Sequence, residues 1–302
     1  MQEVLIKAVC YIGIIFMGFT LRKRGFFGEH AFGVITSIVM KITLPAAIIS
    51  GSSGKTIPLA MLSIMGLSLG SGILYMLISA TVYRNKSKEK RAFAILNTPG
   101  YNIGNFALPF TQSFLGSMGV VTCSLFDMGN AFICLGGAYG VAAAVKDGKG
   151  FDAGRILRSL VHSMPLLAHM MMVFLNLMGW VLPGPILTFA GIVGQGNTFL
   201  ALLMIGVGFR LTGEREQIGD IARIVSIRYS IAMVLALIFY FVLPFELEVR
   251  QALVILALSP ISSAVPGFTA ELKSDVGLSS AVSSVCIVIS TVLIVLALLI
   301  MV

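Results

Sequence analysis

The fold turns on Asn97-Thr98-Pro99-Gly100-Tyr101-Asn102-Ile103-Gly104-Asn105-Phe106-Ala107-Leu108-Pro109. Two prolines, two glycines and three asparagines fall here inside an apolar stretch, 92–115, that is long enough to cross a bilayer. Proline removes a backbone hydrogen bond and costs a helix interior roughly 3 kcal/mol, so a continuous helix is not expected. Hydrocarbon cannot satisfy the N–H and C=O groups that a break sets free, so they must face protein or a wet cavity.

A second stretch, Ser259-Pro260-Ile261-Ser262-Ser263-Ala264-Val265-Pro266-Gly267, interrupts the apolar run 250–272 in the same way. At an offset of 157 residues, Asn102-x-x-Asn105-x-Ala107-x-Pro109 lies over Ser259-x-x-Ser262-x-Ala264-x-Pro266. Hydrogen-bonding side chains, a small residue and a proline then coincide. Matched interruptions of this kind point to a transporter's binding site. Each half-helix presents a positive N-terminal end, worth about 0.3–2 kcal/mol toward a nearby anion. Prolines that merely kinked two bundle helices would not call for asparagines and serines beside them.

Around these two segments the composition leaves room for little but membrane. Of 302 residues, 57% are hydrophobic and 11% charged, too few charges to cover a water-soluble surface. Apolar runs bounded by charge, Gly and Pro give ten spans: 4–21, 31–50, 57–83, 92–115, 118–145, 159–181, 186–209, 224–243, 250–272 and 278–301. The expected fold class is an all-α integral membrane protein. Ten transmembrane helices would form two inverted five-helix repeats, 1–145 and 159–302, joined by a cytoplasmic linker at 146–158, with broken helices 4 and 9.

Seventeen basic residues fall in alternate connections, against Lys7, Lys55 and Arg250 on the other side and Lys41 within a span. The formal net charge of +8 is therefore a topology signal and not a nucleic-acid footprint. The basic side is read as cytoplasmic, with both termini extracytoplasmic in a plasma or bacterial inner membrane. The first run lacks a basic n-region and its charges, Arg22-Lys23-Arg24, follow it, so it reads as a retained first helix.

Asp127, with Asn130, lies deep in span 5, where an acid costs roughly 2.5–3.5 kcal/mol on insertion scales. It reads as a proton carrier or cation ligand, or as a packing acid bonded to a neighbouring helix. Lys41 is also too deep to reach water easily; it would pair with Asp127 or with an anionic substrate, or its stem would climb toward the cytoplasmic face. His162 and His169, seven apart, share a face of span 6 and read as hydrogen-bonded core residues rather than metal ligands. Arg228 and Lys7 stand near span ends and are assigned no chemistry. Gly66-x-x-x-Gly70 and Gly136-x-x-x-Gly140 read as close-packing faces. The four cysteines sit in apolar segments as small buried packers, without disulfide or metal. Ser53-Gly54-Lys55-Thr56 lacks the first glycine of a phosphate loop, and there is no HExxH, so an enzyme is not expected.

On Asn102 seven residues before Pro109, on Pro260 with Pro266, and on Leu44-Pro45-Ala46 in span 2, the chain resembles the auxin efflux carrier family of bacterial permeases and plant PIN-type carriers, whose fold is like that of the bile-acid symporters. The resemblance covers the full length. It implies that helices 4 and 9 cross at their breaks, that helices 1, 2, 6 and 7 form a scaffold and homodimer contact, and that helices 3–5 and 8–10 move as a transport domain. It further implies elevator-type alternating access for small organic anions, auxin-like monocarboxylates or dicarboxylates such as malate. In that reading Asn102, Asn105, Ser259, Ser262 and Lys41 bind substrate. Pro109, Pro266, Gly104 and Gly267 shape the crossover, and Asp127 with Asn130 couple transport to H+ or Na+. The partners are the organic acid, the bilayer and a second copy, with no nucleic acid and no cofactor. A sodium-coupled symporter of bile-acid type and a non-transporting sensor on the same fold are the alternatives.

Overall fold

The computed structural model describes residues 2–28, 30–148, 152–209 and 217–301. Lys149, Arg210 and Arg215, three of the basic loop residues, lie outside the described residues. Every regular element described is helical, as the long apolar runs require. The elements are α1 Gln2–Lys23, α2 Ala31–Ile38, α3 Leu44–Ser52, α4 Ser63–Val82, α5 Lys88–Asn97, α6 Leu108–Phe132 and α7 Ala138–Asp147. They continue with α8 Ala153–Val161, α9 Met164–Leu177, α10 Gly184–Gly208, α11 Ile218–Phe241, α12 Leu247–Ala257, α13 Val265–Glu271 and α14 Val276–Met301. Short π-helical segments join α2 to α3, lead into α6 and join α6 to α7.

Among the described residues seven helical stretches are long and apolar enough to cross a membrane, or eight if α8 and α9 count as one bent span. Outward faces are apolar: Leu5, Val9 and Phe16 on α1, and Leu237 and Phe241 on α11, are exposed. Side chains of this kind suit lipid, and the chain is a multi-pass membrane protein. The stretch containing α6 and α7 is the most deeply packed of the seven. Gly116, with φ 56° and ψ −143°, breaks the stretch, and Thr111 Oγ1 lies 3.0 Å from Cys123 Sγ across that break.

Glycine allows two close approaches. A Cβ on Gly18 of α1 would meet the Leu203 carbonyl oxygen of α10 at 2.5 Å, and one on Gly206 of α10 would overlap the Ile15 carbonyl oxygen. A Cβ on Gly129 of α6 would likewise overlap the Met65 carbonyl oxygen of α4. Backbones in direct contact maximise dispersion where water supplies no hydrophobic drive. Gly66 and Gly70 instead face open space, which corrects their reading as a packing face. Gly136 is needed for its backbone, φ 145°, and packs on Ile156.

The sixth span also differs from expectation. The run read as one straight helix over 159–181 is bent by 73° between α8 and α9. Ser163 is extended and Pro165 opens α9, a helix-start position that proline suits. His162 therefore caps α8 on the surface while His169 is buried inside α9, and the two share no face. Part of the segment read as a linker is helical, since α7 ends at Asp147 and α8 starts at Ala153.

Candidate functional site

Both interrupted segments are broken where the prolines and glycines fall. α5 ends at Asn97, and Pro99-Gly100-Tyr101-Asn102 is non-helical, with Gly100 at φ 76°. α12 ends at Ala257, and helix resumes at Val265. Pro266 occupies the first turn of α13, where a missing N–H is harmless, and Pro109 follows the π-helical segment Ile103–Ala107 that leads into α6. The breaks precede them, at Pro99 and Pro260. Gly104 packs on Leu44, whose Cδ2 a Cβ there would meet at 2.5 Å, and Gly267 stands in open space on a cavity wall.

The two breaks meet. The Asn102 backbone N–H donates to the Pro260 carbonyl at 2.9 Å, and Asn105 Nδ2 donates to Ser263 Oγ at 3.3 Å. Side chains hold the unwound backbone in place. Asn130 accepts from the Tyr101 N–H through Oδ1 and donates to the Tyr101 carbonyl through Nδ2, both at 2.9 Å. Asn97 donates to Thr269 Oγ1 of α13 at 3.3 Å and accepts from Ser279 Oγ of α14 at 2.6 Å. Arg228 of α11 donates from Nη1 to the Thr98 carbonyl at 2.6 Å and from Nη2 to the Ser259 carbonyl at 2.7 Å. Carbonyls freed by the two breaks thus share one guanidinium.

Two cavities flank this crossing. One, of about 110 Å³, is lined by Asn102, Asn105, Asp127, Asn130, Ser262 and Ser263 among others. The other, of about 360 Å³, joins Asn102, Ser263 and Ser280 with apolar Phe32, Met204 and Ile261. Asn102 and Ser263 border both. The Asn102 side chain is 6% exposed and makes no side-chain hydrogen bond among the described residues.

Asp127 faces the smaller cavity, accepts from Asn130 Nδ2 at 2.9 Å, and lies 3.4 Å from His169 Nε2. Of the readings open for Lys41, pairing with Asp127 is not the one found; the basic side chain beside Asp127 is His169. Lys41 sits exposed in the π-helical segment before α3 and is on neither cavity wall. Ser262 lines the smaller cavity, whereas the Ser259 hydroxyl donates to the Leu256 carbonyl at 2.7 Å and lines neither. Cys134 also borders the smaller cavity and Cys10 is exposed, so only Cys123 and Cys286 are buried packers.

Arg228, which joins the two breaks, is the residue at the crossing that sequence reasoning missed. It was taken for a span-end residue because span 8 was started at 224; α11 begins at Ile218, which puts Arg228 a turn and a half deeper and leaves it with no exposed surface. The available signal was the break itself, since freed carbonyls in hydrocarbon demand donors.

A search of curated proteins finds no match to the chain. Residues 4–146, a little under half of the chain, match the family described as "Membrane transport protein", which supports the resemblance to the auxin efflux carriers.

Proposed function

We propose that the chain is a secondary active transporter of small organic anions, monocarboxylates or dicarboxylates, whose substrate binds where the two breaks cross. The carrying observation is the Asn102 N–H to Pro260 carbonyl bond, with the Asn102 side chain on the walls of two cavities beside it. A carboxylate there accepts from Asn102 Nδ2 and meets the amide end of the helix that starts at Ile103 and continues into α6. The apolar side of the larger cavity suits a hydrocarbon or aromatic body, so affinity would grow with apolar area while the carboxylate fixes orientation.

The proposal includes ten spans in two inverted repeats. Supporting it, α6 and α13 begin at Leu108 and Val265, 157 positions apart, as are Asn102 and Ser259. Both termini would be extracytoplasmic, and the chain would work as a homodimer with an elevator-type motion of helices 3–5 and 8–10 against helices 1, 2, 6 and 7. Asp127 and Asn130 would couple that motion to H+ or Na+. Their place on a cavity wall, with His169 reaching Asp127 from α9 in the sixth span, is what favours coupling.

A thermal-shift screen of organic acids on purified protein, followed by labelled uptake into proteoliposomes at varied pH and sodium, tests this. Saturable uptake of at least one carboxylate is expected. Binding without uptake would leave a sensor, and uptake wholly dependent on sodium would place the chain with bile-acid-type symporters. Transport by Asp127→Asn with unchanged pH and sodium dependence would remove Asp127 from coupling.

A further inference from the structure

Breaking a helix creates carbonyl ends as well as amide ends. A helix C-terminus carries roughly half a negative charge, and both α5 and α12 stop at the crossing. Left alone, two such ends would add to about one negative charge at mid-membrane and repel an anion. Arg228 meets both of them, through Thr98 at 2.6 Å and Ser259 at 2.7 Å.

The surroundings of Arg228 are unusual for a cation. It has no exposed surface, its Nε has no partner, and among the described residues no carboxylate pairs with it. The Tyr75 and Tyr101 rings stand 5.2 Å from the guanidinium carbon, giving cation–π contact in place of an anion. Burying an unpaired ion is expensive. A neutral glutamine could have donated to these carbonyls, so hydrogen bonding alone does not call for the charge.

We propose that Arg228 sets the sign of the binding site: its charge cancels the carbonyl ends of α5 and α12, leaves a positive surplus at the crossing, and so selects carboxylates over cationic and neutral analogues. Arg228 lines neither of the two cavities at the crossing and is a positioning residue that acts through the field. The countervailing charge is Asp127, which sits on the smaller cavity beside His169; no acidic residue lines the larger cavity among the described residues. The inference deepens the organic-anion reading of the same crossing, and it is tested without any organic acid.

Ser263 is exposed and borders both cavities. In a chain whose four native cysteines are replaced by alanine or serine, Ser263→Cys supplies one thiol at the site. The rate of its modification by an anionic sulfonatoethyl methanethiosulfonate is divided by the rate with the cationic trimethylammonium analogue. That ratio cancels changes in access common to both reagents. Arg228→Gln, which keeps hydrogen-bond donors and removes the charge, should lower the ratio at least about tenfold, or about 1.4 kcal/mol. Arg228→Lys should keep it within about threefold, since the charge survives while the forked geometry is lost. A ratio unchanged in Arg228→Gln, or falling equally in Arg228→Lys, overturns the proposal.

If Arg228→Gln and Arg228→Met both fail to fold, the ratio in the Arg228 protein is compared with that of N-acetylcysteine amide in the same buffer. A higher ratio in the protein supports the proposal, and an equal or lower one overturns it. A protein that binds no organic acid yet shows the charge-dependent ratio would lose its substrate class and keep the role of Arg228.

Discussion

Asn102 and Asn130 are buried asparagines on either side of the same break, and alanine at each should have opposite consequences. The Asn130 amide holds both the N–H and the carbonyl of Tyr101 and donates to Asp127. Asn130→Ala strands two buried backbone groups at about 1–3 kcal/mol each, a loss of roughly 2–6 kcal/mol in stability. The Asn102 side chain holds nothing, and its backbone bond to Pro260 survives substitution, so Asn102→Ala should change stability by less than about 1 kcal/mol. What it removes is one charge-assisted hydrogen bond to a carboxylate, worth about 1.5–3 kcal/mol, or roughly ten- to a hundredfold in Kd. Melting of the purified variants and equilibrium binding of the best ligand from an organic-acid screen separate the two effects. Asn102→Ala that melts as low as Asn130→Ala, or that binds with wild-type affinity, would refute the assignment of Asn102 to the guest.

Three further outcomes are expected. Gly129→Ala drives a methyl into the Met65 carbonyl and should cost about 1–3 kcal/mol as overpacking, whereas Gly66→Ala, facing open space, should be neutral; equal melting points would contradict the close approach of α4 and α6. Asp127→Asn and His169→Gln should be non-additive in a double-mutant cycle by about 0.5–3 kcal/mol, and additive losses would mean the 3.4 Å pair carries no energy. A water-soluble maleimide should modify Cys134, which borders the smaller cavity, far faster than buried Cys123 or Cys286. Bound organic acid should slow that reaction, and no protection would place the guest elsewhere.

Much of this architecture could be read from residues alone because breaks in membrane helices are written in backbone chemistry. Proline and glycine at 99, 100 and 260 act locally, so the interrupted segments were visible, and so was the kinship of Asn102 and Asn105 with the crossing. Which side chains would reach the freed groups was harder to read, since that depends on helix depth and rotation. Arg228 looked like an interfacial cation until six more residues of helix preceded it. Whether Lys41 would meet Asp127, a guest or the water outside was open from residues alone; Lys41 is exposed, and His169 lies beside Asp127. Pro165 did carry the signal that would have separated α8 from α9, because proline suits the first turn of a new helix and not the interior of a continuous one. Ser259 matched Asn102 in sequence but uses its hydroxyl on its own helix end, a competition open to serine and not evident from an alignment of types.

The most direct measurement is a cryo-EM map of the protein in lipid nanodiscs with a bound organic acid. Carboxylate density is expected within about 3.2 Å of Asn102 Nδ2, between two visibly unwound segments. Continuous helices through Asn102 and Ser259, or ligand density remote from both, would contradict binding at the crossing.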